Sequence, residues 1–114
     1  MTVEVDVWVR GTLHAETYQI ESLPADPADW SDTDVRRLLS EMLLALDREK
    51  NPGVDRPTVT LRGFSWIVSP YRGGVLVHLE TPTGTASAGP LTIDEARLTV
   101  MLARVMDDTP EVVH

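Results

Sequence analysis

The strongest constraint on the fold is a strict two-residue alternation near the start of the chain. Residues 3–9 place four valines on one side of an extended segment and Glu4, Asp6 and Trp8 on the other. This period predicts a β-strand with one buried face, because successive strand side chains point to opposite sides. The next three residues, Arg-Gly-Thr, can form a turn, so residues 13–20 are predicted to return as the second strand of a hairpin.

Two helices are predicted from apolar residues that recur with the spacing of one helical face. Ser31 and Asp34 form an approximate capping box before the first helix, and Thr92 and Glu95 form one before the second. An Asn-Pro-Gly sequence ends the first helix, because proline cannot continue it. The first apolar face comprises Val35, Leu38, Leu39, Met42, Leu43 and Leu46. The second comprises Leu98, Met101, Leu102, Val105 and Met106, widened by Ala96, Val100 and Ala103.

Two further strands are predicted at 58–68 and 75–81, on either side of a Pro-Tyr-Arg-Gly loop. A four-residue loop pairs Trp66 with Val77 and best separates apolar from polar side chains. The fold class is therefore α+β, in the order β-β-α-β-β-α. The prediction is a four-stranded, largely antiparallel sheet with both helices packed on one face.

The chain of 114 residues is predicted to form a single α+β domain spanning 1–114. Loops are predicted at about 21–31 and 82–91, with a frayed C-terminal tail at 108–114. Within the first hairpin, a three-residue loop sets Val5 opposite Thr17.

The charge balance argues against nucleic acid as a partner. The net charge is −8, from 18 acidic and 10 basic residues, and such a chain repels phosphate backbones. No apolar stretch approaches the roughly 18 residues that span a bilayer, so no membrane partner is expected. Cysteine is absent, so disulfides, thiolate metal sites and thiol nucleophiles are excluded. A cytoplasmic protein is the expectation.

The sheet face opposite the helices is predicted to mix aromatic, aliphatic and acidic groups. Such a patch suggests an interaction surface, because Trp and Tyr often anchor contacts. Two other interpretations stay open: the chain's own loops, such as 21–30 or 82–90, cover the patch, or the patch lines a pocket. The predicted surface comprises Trp8, His14, Tyr18, Ile67, Leu76 and His78.

A polar site on the same face is the weaker prediction; it comprises Asp6, Glu16, Ser65 and Glu80. His78 and Glu80 share a face of one strand, but side chains two positions apart are about 6 to 7 Å from each other. Ser65 is the one hydroxyl that the predicted register brings close, and no nucleophile elbow surrounds it. No catalytic residue, metal or cofactor is therefore predicted.

The predicted hairpin sets Asp6 opposite Glu16, and like charges across a strand pair destabilise it. Three explanations compete: the register is wrong, a basic group such as Arg97 or a partner's arginine lies there, or a cation binds.

The leading functional hypothesis is a small acidic, non-catalytic protein-interaction module, such as an adaptor, an inhibitory subunit or an immunity-type protein. Self-association as a homodimer through the open sheet face is its most specific form, since twofold dimers are the commonest oligomers. The alternative is a small enzyme or ligand-binding domain that uses His14, His78 and Glu80. That alternative predicts a concave pocket containing at least two of these three residues.

Overall fold

The computed structural model describes residues 2–21, 23–24, 26–50 and 63–108. Within those residues the chain forms five strands, two α-helices and a short 3-10 helix. In chain order the elements are β1 (Val3–Val9), β2 (Glu16–Ile20), the 3-10 helix (Pro27–Asp29), α1 (Asp32–Lys50), β3 (Ser65–Tyr71), β4 (Gly74–Glu80), β5 (Gly84–Leu91) and α2 (Glu95–Asp108). Residues 58–62 of the predicted third strand and residues 109–114 of the predicted tail lie outside the described residues.

The five strands form one antiparallel sheet in the order β2-β1-β5-β4-β3. The predicted α+β class and two helices are confirmed, but the prediction of four strands is wrong. The additional strand, β5, occupies most of the segment predicted as a loop at 82–91. It joins the two hairpins, because it pairs with β1 on one side and with β4 on the other.

The composition of β5 explains why the sequence pattern concealed it. The residues that it turns toward the helices over most of its length are Gly84, Ala86 and Ala88, all of them buried, and the buried Leu91 follows at its end. Glycine and alanine are depleted in strands, so a segment rich in them resembles a connector. Here the small side chains let α1 pack over the centre of the sheet, against β1 and β5.

The β1–β2 hairpin pairs one residue away from the predicted register. Val5 lies opposite Tyr18, whereas the prediction set it opposite Thr17. The connection between the strands holds residues 10–15 rather than 10–12, so pairing starts later along the chain. An odd shift exchanges the two faces of a strand. Tyr18 therefore lies on the side that faces the helices.

The β3–β4 hairpin is shifted by two residues, which preserves the predicted faces. Trp66 lies opposite Leu79 instead of Val77. The turn contains only Arg72 and Gly73, with φ angles of 46° and 81°. Positive φ at both positions is typical of the type I′ turn that joins two strands through a two-residue loop.

Both helices cover the same side of the sheet, as predicted. α1 lies over β1, β5 and β2, while α2 lies against α1 and β3. The apolar helix faces and the helix-side strand residues form one buried cluster. Its largest fully buried side chains include Trp30, Leu38, Leu39, Met42, Leu79 and Leu98.

The helix termini agree with the predicted caps at one helix and differ at the other. At α1, the Ser31 N–H donates to an Asp34 carboxylate oxygen at 2.8 Å, as the capping box requires. At α2, the carboxylate of Asp94 rather than Thr92 accepts the Arg97 N–H at 3.0 Å, so the helix begins later than predicted. The residues expected to widen the apolar face of α2 are exposed.

Candidate functional site

The candidate site is the side of the sheet opposite the helices, here called the open face. Its central row runs across all five strands and contains Thr17, Asp6, Ser87, His78 and Ile67 in that spatial order. The row forms because each of these residues lies directly opposite the next one on the neighbouring strand. Directly opposite side chains lie about 4.5 to 5.5 Å apart at Cβ, which is within hydrogen-bonding reach for polar groups.

Two hydrogen bonds order the polar part of this row. The Thr17 hydroxyl donates to Asp6 Oδ1 at 2.7 Å. The Ser87 Oγ lies 2.8 Å from His78 Nδ1. Sequence reasoning missed Ser87 because it took β5 for a loop; the alternation of small and hydroxyl-bearing residues at 84–88 was the available signal.

The hydrogen bond to Thr17 resolves the like-charge conflict expected at the first hairpin. Asp6 lies opposite Thr17, whereas the predicted register set it opposite Glu16. Glu16 instead pairs with Val7, so it lies on the side of β2 that faces the helices. Of the three explanations for the like-charge pair, the first therefore holds: the predicted register is wrong.

The serine–histidine contact lacks the arrangement of a catalytic triad. In a triad the acid holds the imidazole nitrogen that faces away from the serine. Here Asp6 neighbours Ser87, on the far side from His78, and its Oδ1 already accepts a hydrogen bond from Thr17. The row is therefore best described as a hydrogen-bonded polar strip at the centre of the open face.

A second row runs beside the first, and its Thr85, Glu80 and Ser65 line a hollow. This row contains Trp8, Thr85, Glu80 and Ser65, again on neighbouring strands. The hollow has a volume of about 300 Å³. Its lining comprises Ser65, Trp66, Ile67, His78, Leu79, Glu80, Thr85 and Ser87.

The structure brings together four of the six residues predicted for the interaction surface. Ile67 and Leu76 lie on the open face with His78 and Trp8. The Trp8 indole N–H donates to the Thr12 carbonyl at 3.1 Å, so this ring covers the adjoining turn.

The other two residues of the predicted surface lie elsewhere. His14 lies in the β1–β2 connection and is exposed. Tyr18 is on the helix side, where its hydroxyl donates to Glu49 Oε2 at 2.6 Å. This hydrogen bond to a carboxylate is the main reason that the pKa of Tyr18 rises to about 12, with a smaller contribution from burial.

The two segments considered as possible covers, 21–30 and 82–90, do not lie over the open face in their described residues. Most of 82–90 is β5 itself, within the sheet. The 3-10 segment lies on the helix side, where the Arg97 guanidinium of α2 donates to the carbonyls of Ala28 and Trp30. Beside it, the Arg104 guanidinium binds Asp32 through two hydrogen bonds, of 2.8 and 2.9 Å, and lowers the pKa of that carboxyl.

The open face has an acidic half on β1 and an apolar half on β3, with Glu80 of β4 beside the apolar half. Glu4 and Asp6 lie on β1, toward the β2 edge. Ile67 and Tyr71 lie on β3, at the opposite edge, with 59% and 41% of their surface exposed. The whole of β3, Ser65–Tyr71, has the sequence SWIVSPY and contains no charged residue.

Among the described residues, no group of three His, Asp or Glu side chains is arranged to hold a metal ion. None of the helices in the described part of the chain has the length and apolar character needed to cross a membrane. No protein-family model, curated protein or solved structure matches this chain.

Proposed function

We propose that this chain is a small, cytoplasmic, non-catalytic protein-interaction module that self-associates through its open sheet face. The observation that supports this most directly is the exposure of Ile67 and Tyr71 beside Leu76 on a sheet face that no described element covers. Exposed apolar groups gathered on one face favour an interaction surface over simple solvation.

Electrostatics support a protein partner over nucleic acid. The open face presents Glu4, Asp6 and Glu80. No open-face position of β1–β5 is a lysine or arginine, although the Arg72 guanidinium of the β3–β4 turn lies 5.3 Å from the centre of the Tyr71 ring. Such a surface repels phosphate groups. An adaptor, an inhibitory subunit or an immunity-type protein would use a surface of this kind, with the apolar β3 half making contact and the acidic half at the rim.

A matched pair of substitutions tests the proposal. Ile67→Glu places a charge in the apolar half of the open face, and Val100→Glu places one on the outer side of α2, where valine is 52% exposed. We expect the wild-type chain and Val100→Glu to be dimers by sedimentation equilibrium. We expect Ile67→Glu to raise the dimer dissociation constant at least about tenfold, because two carboxylates would be desolvated at one contact.

Circular dichroism checks that both variants keep the fold. A wild-type chain that remains monomeric at every concentration, or equal dissociation constants for the two variants, would refute self-association through this face.

The hollow beside His78 favours a second candidate function, the binding of a small ligand. It contains two of the three residues of the alternative hypothesis, His78 and Glu80, and its volume of about 300 Å³ lies at the lower end of small-molecule sites. The carboxylate of Glu80 and the hydroxyls of Ser65 and Thr85 would suit an ammonium or polyol group.

This candidate is tested by NMR, adding small amines and polyols to the protein and following the imidazole signals. Ligand-dependent shifts at His78, with none at the exposed His14, would support it. Equal or absent shifts at both imidazoles would remove it.

A further inference from the structure

The two edges of the sheet differ in their chemistry. β2 ends the sheet on one side, is five residues long and contains Glu16. β3 ends it on the other side, is seven residues long and has no charge. Natural edge strands are usually protected by charged residues, proline, short length or bulges, and β3 has a proline at position 70. No described strand pairs with the outer side of β3, whose middle lacks these protections.

β3 also exposes apolar groups on both of its faces. Ile67 and Tyr71 are exposed on the open face. Trp66 and Val68 are only partly buried on the helix side, where α2 lies against β3. An uncharged strand that is apolar on both faces is a template for pairing with another strand.

Hydrogen bonds at the β4–β5 turn establish the direction of the backbone groups of β4. The Thr81 N–H donates to the Gly84 carbonyl at 2.8 Å, so Thr81 points its backbone groups toward β5. These groups alternate in direction along an antiparallel strand. Glu80, His78 and Leu76 therefore point theirs toward β3.

The same alternation gives the direction of the backbone groups of β3. Ser65, Ile67 and Ser69 lie opposite Glu80, His78 and Leu76, so their backbone groups are used within the sheet. The intervening residues, Trp66 and Val68, point their N–H and C=O groups away from β4. The outer edge thus offers two donors and two acceptors near its middle.

Pro70 shares this outward direction and has no N–H group. Proline is tolerated in a sheet where its nitrogen faces away from the neighbouring strand, which explains how β3 can contain it. For an incoming strand, Pro70 marks a position where one of its carbonyls would meet no donor.

We propose that two copies of the chain pair antiparallel along β3, with Ile67 of one copy opposite Ile67 of the second, to form one continuous sheet. This inference rests on the proposed self-association but places the contact along the β3 edge of the open face rather than in a stack of two open faces. In this register Trp66 of each copy lies opposite Val68 of the other. Every outward N–H in the strand then meets a carbonyl, and neither residue lies opposite Pro70.

Neighbouring registers match the strands less well. Centring the pair on Val68 would set Trp66 opposite Pro70, so the Trp66 carbonyl would lack a donor. Centring it on Trp66 would set Val68 opposite Phe64, which lies outside the strand and follows Gly63, whose φ is 78°.

Charge also favours the edge over a stack of two open faces. Each copy has a net charge of −8, but Ser65–Tyr71 contains no carboxylate, so edge pairing brings no acids together along the strand. A stack of two open faces would instead confine Glu4, Asp6 and Glu80 of both copies between the sheets. Like charges held close together oppose association.

The absence of cysteine from the chain allows a direct test with single-cysteine variants. Oxidation of Ile67→Cys should give nearly complete disulfide-linked dimer on a non-reducing gel. Directly opposite residues of a non-hydrogen-bonded pair have Cα atoms about 4.5 Å apart, and disulfides need about 4.4 to 6.8 Å. Two sheets stacked face to face lie about 10 Å apart, too far for this bond.

The matched control is Ser69→Cys, on the same face of β3. The proposed register sets Ser69 opposite Ser65 of the second copy, so the thiols introduced at position 69 of the two copies would be about 13 Å apart along the strand. Ser69→Cys alone should stay unlinked, whereas an equimolar mixture with Ser65→Cys should give the mixed dimer. Equal linking of Ile67→Cys and Ser69→Cys alone would overturn the register.

Trp8→Glu separates edge pairing from face stacking. Trp8 is on β1, with β5 and β4 between it and β3, so edge pairing predicts an unchanged dimer dissociation constant. A stack of open faces predicts release of monomers. A dimer that Trp8→Glu dissociates, or one in which Ile67→Cys does not link, overturns edge pairing and leaves the proposed self-association standing.

A wild-type chain that is monomeric at every concentration overturns both proposals. If a segment of the same chain already pairs with the outer side of β3, both single-cysteine variants stay unlinked and the edge proposal fails.

Discussion

Replacing Gly84 by alanine tests the junction between β1 and β5, on which the five-stranded sheet depends. Gly84 lies opposite Val9 at the start of β5. A Cβ atom added there would lie 2.0 Å from the Trp8 carbonyl oxygen, whereas Cβ contacts under 3.0 Å essentially never occur. The obstacle is backbone rather than a movable side chain. The two strands must therefore separate locally by about 1 Å, the difference between these two distances.

Three contributions determine how much this separation lowers the free energy of unfolding. A ladder hydrogen bond lengthened by about 1 Å is lost, and each lost bond removes about 0.5 to 1.5 kcal/mol. Forced backbone displacement adds about 1 to 3 kcal/mol. Alanine offsets about 0.4 to 1 kcal/mol of this destabilisation, because it restricts the conformations of the unfolded chain. With two bonds affected, we expect the free energy of unfolding to fall by roughly 1 to 6 kcal/mol, a large part of the total for a domain of this size.

Urea unfolding followed by far-UV circular dichroism measures this change. With a slope of about 2 kcal/mol per molar urea, the midpoint should fall by roughly 0.5 to 3 M. Thr85→Ala is the control, because Thr85 is the next residue of β5 and its side chain lies on the open face. We expect its effect to stay within about 0.5 kcal/mol. A midpoint for Gly84→Ala equal to that of Thr85→Ala would show that β5 does not approach β1 in this register.

Two titrations test side-chain contacts of the helices. In a Tyr71→Phe background, the phenol absorbance of Tyr18 should titrate with a pKa of about 12, and Glu49→Ala should lower it toward 10.0. The raised pKa stabilises the fold below pH 10.0, and this contribution disappears as the pH rises to about 12. A Tyr18 titration that Glu49→Ala leaves unchanged would contradict the contact. For Asp32, an NMR titration should give a pKa below 3.8, and Arg104→Gln should raise it. This lowered pKa stabilises the fold above pH 3.8, and the contribution is lost as the pH falls through the folded-state pKa. Equal pKa values of Asp32 in the wild-type chain and in Arg104→Gln would exclude the ion pair.

The feature of the fold that the sequence predicted best was which side of the sheet the helices cover. The β1 alternation and the apolar helix stripes each define a face without reference to any other element. Burial of both stripes then requires the helices to share the valine side of the sheet. Trp8 and His78 consequently lie together on the open face, as the pattern predicted.

β5 could not be predicted in the same way, and its omission left the predicted site incomplete. A strand whose buried residues are Gly84, Ala86 and Ala88, with one large side chain, Leu91, at its end, has little hydrophobic contrast, so periodicity arguments cannot detect it. Without β5, Ser87 had no place in the sheet. The predicted register brings Ser65 close to His78, whereas the hydrogen bond of His78 is to Ser87.

Strand register illustrates a more general limit of hydrophobic patterning. Separation of apolar from polar residues decides between the two faces of a strand, but it is unchanged by a shift of two residues. Only the turn decides between such registers, and the Arg72-Gly73 turn, with positive φ at both residues, selects the shorter loop. That choice extends β3 to Tyr71 and sets Ile67 opposite His78. The uncharged edge on which the proposed pairing rests is therefore a consequence of turn chemistry.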